Sequence, residues 1–394
     1  MSAPQTDRTF DPTALESTAI AQSGGLKNFG DPSYRIALEK LCASLEAEAK
    51  LSDFGRQLLH QKFIEMLVNR LRMEEFFRTH PEINDEVLAA PVLIVGLPRT
   101  GTTLLQRVLA CDPSFYSMPW WESRYPVPFV DEDLKTPTAR IERARGEVKV
   151  MVEAMPKLMA IHPMNADEAD EEGMLTEHSF RASFNAYAHV PSYMEWLHST
   201  DETPTYEFLK RGLKFLQWQK RQRGIVANRW VLKAPHHLLR MELVLKMFPG
   251  IQVIQTHRDP VETIPSIASF IDTLWHIYSS TVDSKAVGHE WSALMARAFR
   301  HALQAREQSP QSFMDVRFID TVKTPLEVVR AIYAFAGRTL TTEAEARMTH
   351  WIEDNRRESR ASHDYQPEQF GLSEKQLKQD FADYRRQYIE PATI

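Results

Sequence analysis

One run constrains the fold more than any other: PVLIVGL (Pro91–Leu97), followed at once by PRTGTTLL. Its first part is apolar without alternation, as a strand buried on both faces is, and helical spacing then runs from Thr103 to Ala110. A strand, a glycine-bearing turn and a helix in that order aim consecutive backbone N–H groups at an anion, and the helix dipole adds attraction. Gly96 and Gly101 keep the spacing of the GxxxxGK[ST] phosphate loop, but Thr102 stands where that loop has its lysine. An ATP- or GTP-splitting enzyme built on this loop lacks the ammonium that meets the terminal phosphates. Arg99 supplies a planar cation from inside the turn instead, a shape suited to a tetrahedral oxyanion. The competing reading is a strand-to-helix turn that holds nothing.

Three further apolar runs read as central strands: Trp230–Lys233, Ile251–His257 and Met314–Asp320. Helical stretches at Leu238–Met247, Lys285–Gln308 and Leu326–Ala336 separate or follow them, and strands alternating with helices imply a parallel sheet covered on both faces. The expected fold class is α/β: a three-layer, P-loop-like fold with a mostly parallel central sheet, an N-terminal helical extension and a helical substrate cap. The boundaries drawn are residues 1–85 for an N-terminal arm and helices, 86–372 for the α/β domain, and 373–394 for a C-terminal helical tail. A Met- and aromatic-rich, mostly helical insertion at about 131–222 covers the sheet's working edge. Within the first segment, residues 1 to about 30 read as a polar arm. Tyr34–Phe77 reads as helical, with Phe54, Leu58, Leu59, Phe63, Met66, Leu67 and Leu71 on one apolar face. There is no internal repeat and no low-complexity tract.

Composition narrows the function. The 394 residues carry a net charge of −6, which argues against a general nucleic-acid binder. Cys42 and Cys111 are the only cysteines, too few for a disulfide scaffold or a four-cysteine metal site. MSAPQTDRTF lacks a signal pattern, and the best apolar run, Val87–Leu97, is short and interrupted by Pro91. A soluble protein of the reducing cytoplasm, without integral membrane association, is expected.

A second signature follows a later strand: THRDPVETIPS puts Arg258 at the strand end and Ser266 eight residues on. Open parallel sheets bind ligands at the carboxyl ends of their strands, so Arg258 is well placed for one. The pair PRTGTT and Arg258…Ser266 resembles the 5′-phosphosulfate and 3′-phosphate signatures of the sulfotransferases that use 3′-phosphoadenosine 5′-phosphosulfate (PAPS). WVLKAPHHL, FPGIQVIQTHRDP, VRFIDTVKTPLEVVRAIYAFAG and HDYQPEQFGL are similar to a bacterial-type subgroup of that family, over roughly Pro91 to Leu372.

The resemblance implies transfer of a sulfuryl group from PAPS to an acceptor hydroxyl or amine, with adenosine 3′,5′-bisphosphate released and no metal required. It implies a donor site of Arg99, Thr100, Gly101, Thr102, Thr103, Arg258 and Ser266, with Phe318 where many relatives have an adenine-side tyrosine. Arg360 and His363 correspond to the late basic segment that closes on the 3′-phosphate. Sulfuryl transfer needs in-line placement, proton removal and cations for the charge on the departing phosphate. Arg99 and Lys233 are the cations, Lys233-Ala234-Pro235 being similar to a lysine context in the tyrosylprotein branch. For the base, Glu122 resembles that branch's glutamate, and burial beside Trp120 and Trp121 is expected to raise its pKa. His236 and His237 are the alternatives, since cytosolic steroid and phenol sulfotransferases use a histidine just after a strand-end lysine.

The acidic stretch Ala166–Glu172 reads first as a solvated helix face and second as a lid that selects acceptors; His162 beside it is too isolated for a metal ligand. An aromatic or apolar small-molecule hydroxyl acceptor is expected. The rival functions are a nucleotide kinase or NTPase and a non-catalytic nucleotide-binding module.

Overall fold

A computed structural model describes residues 9–154, 164–355 and 366–390. Five strands form one sheet: β1 (Val92–Gly96), β2 (Phe115–Tyr116), β3 (Arg229–Lys233), β4 (Gln252–His257) and β5 (Phe313–Arg317). Their order is β2-β3-β1-β4-β5, and every neighbouring pair is parallel. β1 is central and wholly buried, which is why its sequence shows no alternation. Val92, Ile94, Val231, Ile254 and Val316 share a core with Leu105, Val108 and Leu109 of the Thr102–Ala110 helix and with Val329 and Ile332 of Pro325–Phe335.

Two strand expectations change. The Met314–Asp320 run stops at Arg317, and Phe318–Lys323 is a helix. The β4 ladder ends at the His257–Arg317 pair, so Phe318, Ile319 and Asp320 have no strand to bond. β2 escaped the sequence reading because two residues carry no periodicity.

The chain forms two compact units, each discontinuous in sequence. The sheet unit takes Val87–Glu172, Gln219–Phe270 and Asp283 onward; the other takes the chain up to Glu86 with Gly173–Trp218 and Ile271–Val282. Residues of the 131–222 stretch are thus shared between the two. The second unit is helical, and its core includes Leu15, Leu38, Leu41, Phe63, Leu67, Phe180 and Tyr193. The expected polar arm contains a helix, Pro12–Gln22, capped by Asp11 and anchored by fully buried Leu15 and Ala19. The Tyr34–Phe77 pattern divides into Ser33–Glu48 and Asp53–Thr79 around Lys50, whose φ is +47°. Phe54 and Leu58 are exposed rather than part of the buried face. The seam of the longer helix is Leu59, Phe63, Met66, Leu67 and Leu71, and the other two stand off that stripe.

Candidate active site

Every residue of the site belongs to the sheet unit. The turn after β1 is built on two glycines with separate tasks. A Cβ on Gly96 would lie 2.1 Å from Thr256 Oγ1 and 2.8 Å from its carbonyl oxygen, so β1 and β4 approach too closely there for any side chain. Gly101 has φ +89° and starts the Thr102–Ala110 helix from the left-handed region. Arg99 holds φ +75° without being glycine, a strained conformation of the kind that clusters at ligand sites. Gly96→Ala should lower stability by about 1–3 kcal/mol through overpacking; a melting curve superimposable on the parent's would refute that close approach.

Thr100 is completely buried, and its hydroxyl donates to the Leu97 carbonyl at 2.6 Å and pairs with Thr256 Oγ1 at 2.6 Å. Its side chain is therefore committed to holding the loop on β4. The first intrahelical bond is Leu105 N to Gly101 O, so the amides of Thr102, Thr103 and Leu104 precede the hydrogen-bonded ladder, the place where a helix can receive an anion.

Arg258 follows β4 and folds back onto this loop. Its Nη1 donates to the Arg99 carbonyl oxygen at 3.1 Å, and its guanidinium lies 4.2 Å from the centre of the Phe318 ring. Phe318 in turn lies beside Gly101: a Cβ there would come within 3.3 Å of the ring. Nε and Nη2 of Arg258 both bond Glu262 Oε2, at 2.9 and 2.6 Å. Ser266 is buried in the Pro260–Tyr278 helix two turns beyond Arg258. The two signatures, 159 residues apart in sequence, thus meet at one sheet edge. Arg360 and His363 lie outside the described residues.

The acidic stretch corrects the solvated-helix expectation. It is an irregular strap sewn onto the sheet unit: Ala169 bridges Pro119, Trp120 N donates to Glu168 O, and Asp170 N donates to Met118 O. Gln106 and Arg107 of the loop helix bond the Asp170 carbonyl and the Glu168 carboxylate. Asp170 and Glu172 are buried. At the end of β3, Lys233 Nζ meets Glu171 Oε1 at 2.7 Å, and the Lys233 amide donates to Glu172 Oε2 at 2.9 Å. The other oxygen of Glu172 takes His237 Nε2 at 2.7 Å. Lys233, His237, Glu171 and Glu172 are one interlocked group, in which only the Glu171 side chain is substantially exposed, at 31% against 1–2% for the others. Sequence reading missed both glutamates as site residues, because a run of acids carries no periodicity that separates buried members from exposed ones.

His236 packs its ring 4.1 Å from that of His237, and its Nε2 is buried without a hydrogen-bond partner. Burial, with His237 and Arg240 nearby, pushes it well below the ordinary imidazole range, so it is neutral at pH 7.

Glu122 departs from expectation. Burial alone would raise its carboxyl, but Lys220 at 2.6 Å and Arg223 override that effect and hold it below its ordinary value. With 1% exposure and both oxygens paired to cations, it is a fixed carboxylate rather than a proton acceptor poised near neutrality.

A parallel sheet whose central strand runs into a glycine-bearing turn, with an arginine and a lysine at the ends of neighbouring strands, is a P-loop-like α/β fold. The model of the sulfotransferase family matches residues 91–343, and the chain belongs to that family. It is similar to the crystal structure of sulfotransferase STF9 from Mycobacterium avium, with 26% identity, a TM-score of 0.86 and 98% of both chains covered. STF1 from Mycobacterium tuberculosis H37Rv matches at 29% identity and a TM-score of 0.81, over 94% of this chain and 98% of that one. A curated relative, omega-hydroxy-beta-dihydromenaquinone-9 sulfotransferase Stf3 of Mycobacterium bovis, is 26% identical over 261 residues. That match spans 63% of this chain and 62% of the relative's own length. These matches do not favour the kinase alternative. Among the described residues no helix is long and apolar enough to cross a membrane, and no group of three potential metal ligands occurs.

Proposed function

We propose that the protein moves the sulfuryl group of PAPS to a hydroxyl (or amine) of a small apolar acceptor, releasing adenosine 3′,5′-bisphosphate. The observation that carries this reading is the Arg258–Arg99 contact, which puts a strand-end guanidinium on the rim of the phosphate-type turn. PAPS supplies a sulfuryl group already bonded to a good phosphate leaving group. Arg99 and the amides from Thr100 to Thr103 with Gly101 hold the 5′ end of the donor. Arg258 and Ser266 take the 3′-phosphate, and the Phe318 face packs near the adenine end. Lys233, buried at the end of β3, neutralises charge on the departing phosphate. Proton removal falls to Glu171, which touches Lys233 and reaches solvent, while Glu172 fixes the β3 end and His237 behind it. Glu122 serves to hold Lys220 and Arg223 under the strap.

An apolar hydroxyl acceptor is supported by the menaquinone derivative in the name of Stf3 and by the Trp120–Trp121 helix beneath the strap. A cytoplasmic site is supported by the two unpaired cysteines. The decisive experiment pairs calorimetry with adenosine 3′,5′-bisphosphate and transfer of labelled sulfate to a panel of apolar alcohols and phenols. Binding followed by transfer is expected. Mg²⁺-dependent ATP hydrolysis without sulfate transfer would replace this reading with the NTPase one, and binding without transfer would leave a nucleotide-binding module.

Glu262 occupies the Arg258 donors that the 3′-phosphate needs. The pair is exposed on the Glu262 side and so is worth under about 1 kcal/mol. Glu262→Gln should therefore tighten bisphosphate binding by about 2–5-fold; weaker binding would show that Glu262 assists the site instead.

A further inference from the structure

Arg258 is flanked by two residues that the last described helix holds. On one side, the Asp259 carboxylate receives Arg385 Nε at 3.0 Å and Nη2 at 3.0 Å, a fork-to-fork pair largely shielded from water. On the other, His257 Nδ1 lies 2.9 Å from the Tyr384 hydroxyl, and its ring stacks on Tyr388 at 4.1 Å with an interplanar angle of 6°. His257 Nε2 meets Asp315 Oδ1 of β5 at 2.8 Å, and Arg306 closes on the same aspartate. One proton assignment satisfies the chain: Tyr384 donates to Nδ1, and Nε2–H donates to Asp315. Tyr384 stacks on Phe299 at 4.1 Å, which anchors the helix to Ser284–Gln308. Ala382–Tyr388 is only seven residues long, yet it fixes the backbone on both sides of one arginine.

We propose that the C-terminal helix is part of the donor site: Tyr384 and Arg385 are positioning residues that set Arg258 for the 3′-phosphate. This rests on the assignment of Arg258 to the 3′-phosphate. A merely structural helix would lower stability without changing which nucleotide is preferred; a positioning helix changes the preference for a 3′-phosphate specifically.

The test is calorimetry of Tyr384→Phe and Arg385→Gln with two probes, adenosine 3′,5′-bisphosphate and adenosine 5′-monophosphate. The parent prefers the bisphosphate. Each variant is expected to lose about 5–30-fold of that preference, the size of one or two ordinary hydrogen bonds, while monophosphate affinity holds. Arg385→Lys should recover part of the loss, and in an Arg258→Ala background Arg385→Gln should have no further effect, because it acts through Arg258. Should Arg385→Gln not fold, Tyr384→Phe carries the same comparison. An unchanged preference in both variants, or a full additional loss in the Arg258→Ala background, overturns the positioning role with Arg258's assignment intact. A parent that binds both nucleotides equally removes the Arg258 assignment itself and this inference with it.

Discussion

Arg258→Ala is expected to weaken adenosine 3′,5′-bisphosphate binding by roughly 10²–10⁴-fold. Charge-assisted hydrogen bonds to a buried or half-buried anion are worth about 1.5–3 kcal/mol each, and an arginine presents two to a phosphate. Each 1.4 kcal/mol is tenfold in affinity. The guanidinium is held between the Arg99 carbonyl and the Phe318 face, so little ordering remains to oppose binding. The alanine variant should melt within a few degrees of the parent, since the interactions it loses are an exposed pair with Glu262, one carbonyl contact and the packing on Phe318. Affinity within a few-fold of the parent would remove Arg258 from the donor site.

Glu171→Gln should leave bisphosphate affinity unchanged and lower kcat by about 10²–10⁴-fold, the usual contribution of a positioned proton acceptor. The amide keeps the shape and can still accept from Lys233, so the strap stays in place while basicity is lost. Lys233→Met separates the two members of the pair: kcat falls by about 10²–10³-fold, as when one transition-state charge partner is removed. Glu122→Gln provides the contrast. Removing one charge from a buried pair typically costs about 3–5 kcal/mol, because the remaining cations stay buried without their counter-charge. Its effect should appear as a lower melting temperature. If Glu122→Gln were as stable as the parent yet inactive, while Glu171→Gln turned over normally, the proton acceptor would be Glu122 after all.

Much of the fold and the layout of the candidate site was legible in the residues, because both rest on local patterns. Four of the five strands announce themselves as short buried runs, and the turn from Gly96 to Thr103 carries its own spacing. That Arg258 and Arg99 share one sheet edge followed from the rule that parallel strands present their carboxyl ends together. What the residues left open was the fate of charges. Glu122 beside two tryptophans looked like an acid raised by burial, yet Lys220 and Arg223, about a hundred residues further on, reverse the sign of its shift. ADEADEE looked solvated, yet its last two glutamates hold Lys233 and His237.

The sequence by itself determined a parallel α/β core, a glycine-bearing turn without the NTPase lysine, and two arginines at one sheet edge. Only the tertiary structure decided which acidic groups stand against which cations, and that the last helix clamps both neighbours of Arg258. The physical reason is range: backbone periodicity and turn chemistry are written within a dozen residues. The ionisation and orientation of a side chain are set by whatever the fold brings within a few ångströms of it, from any distance along the chain.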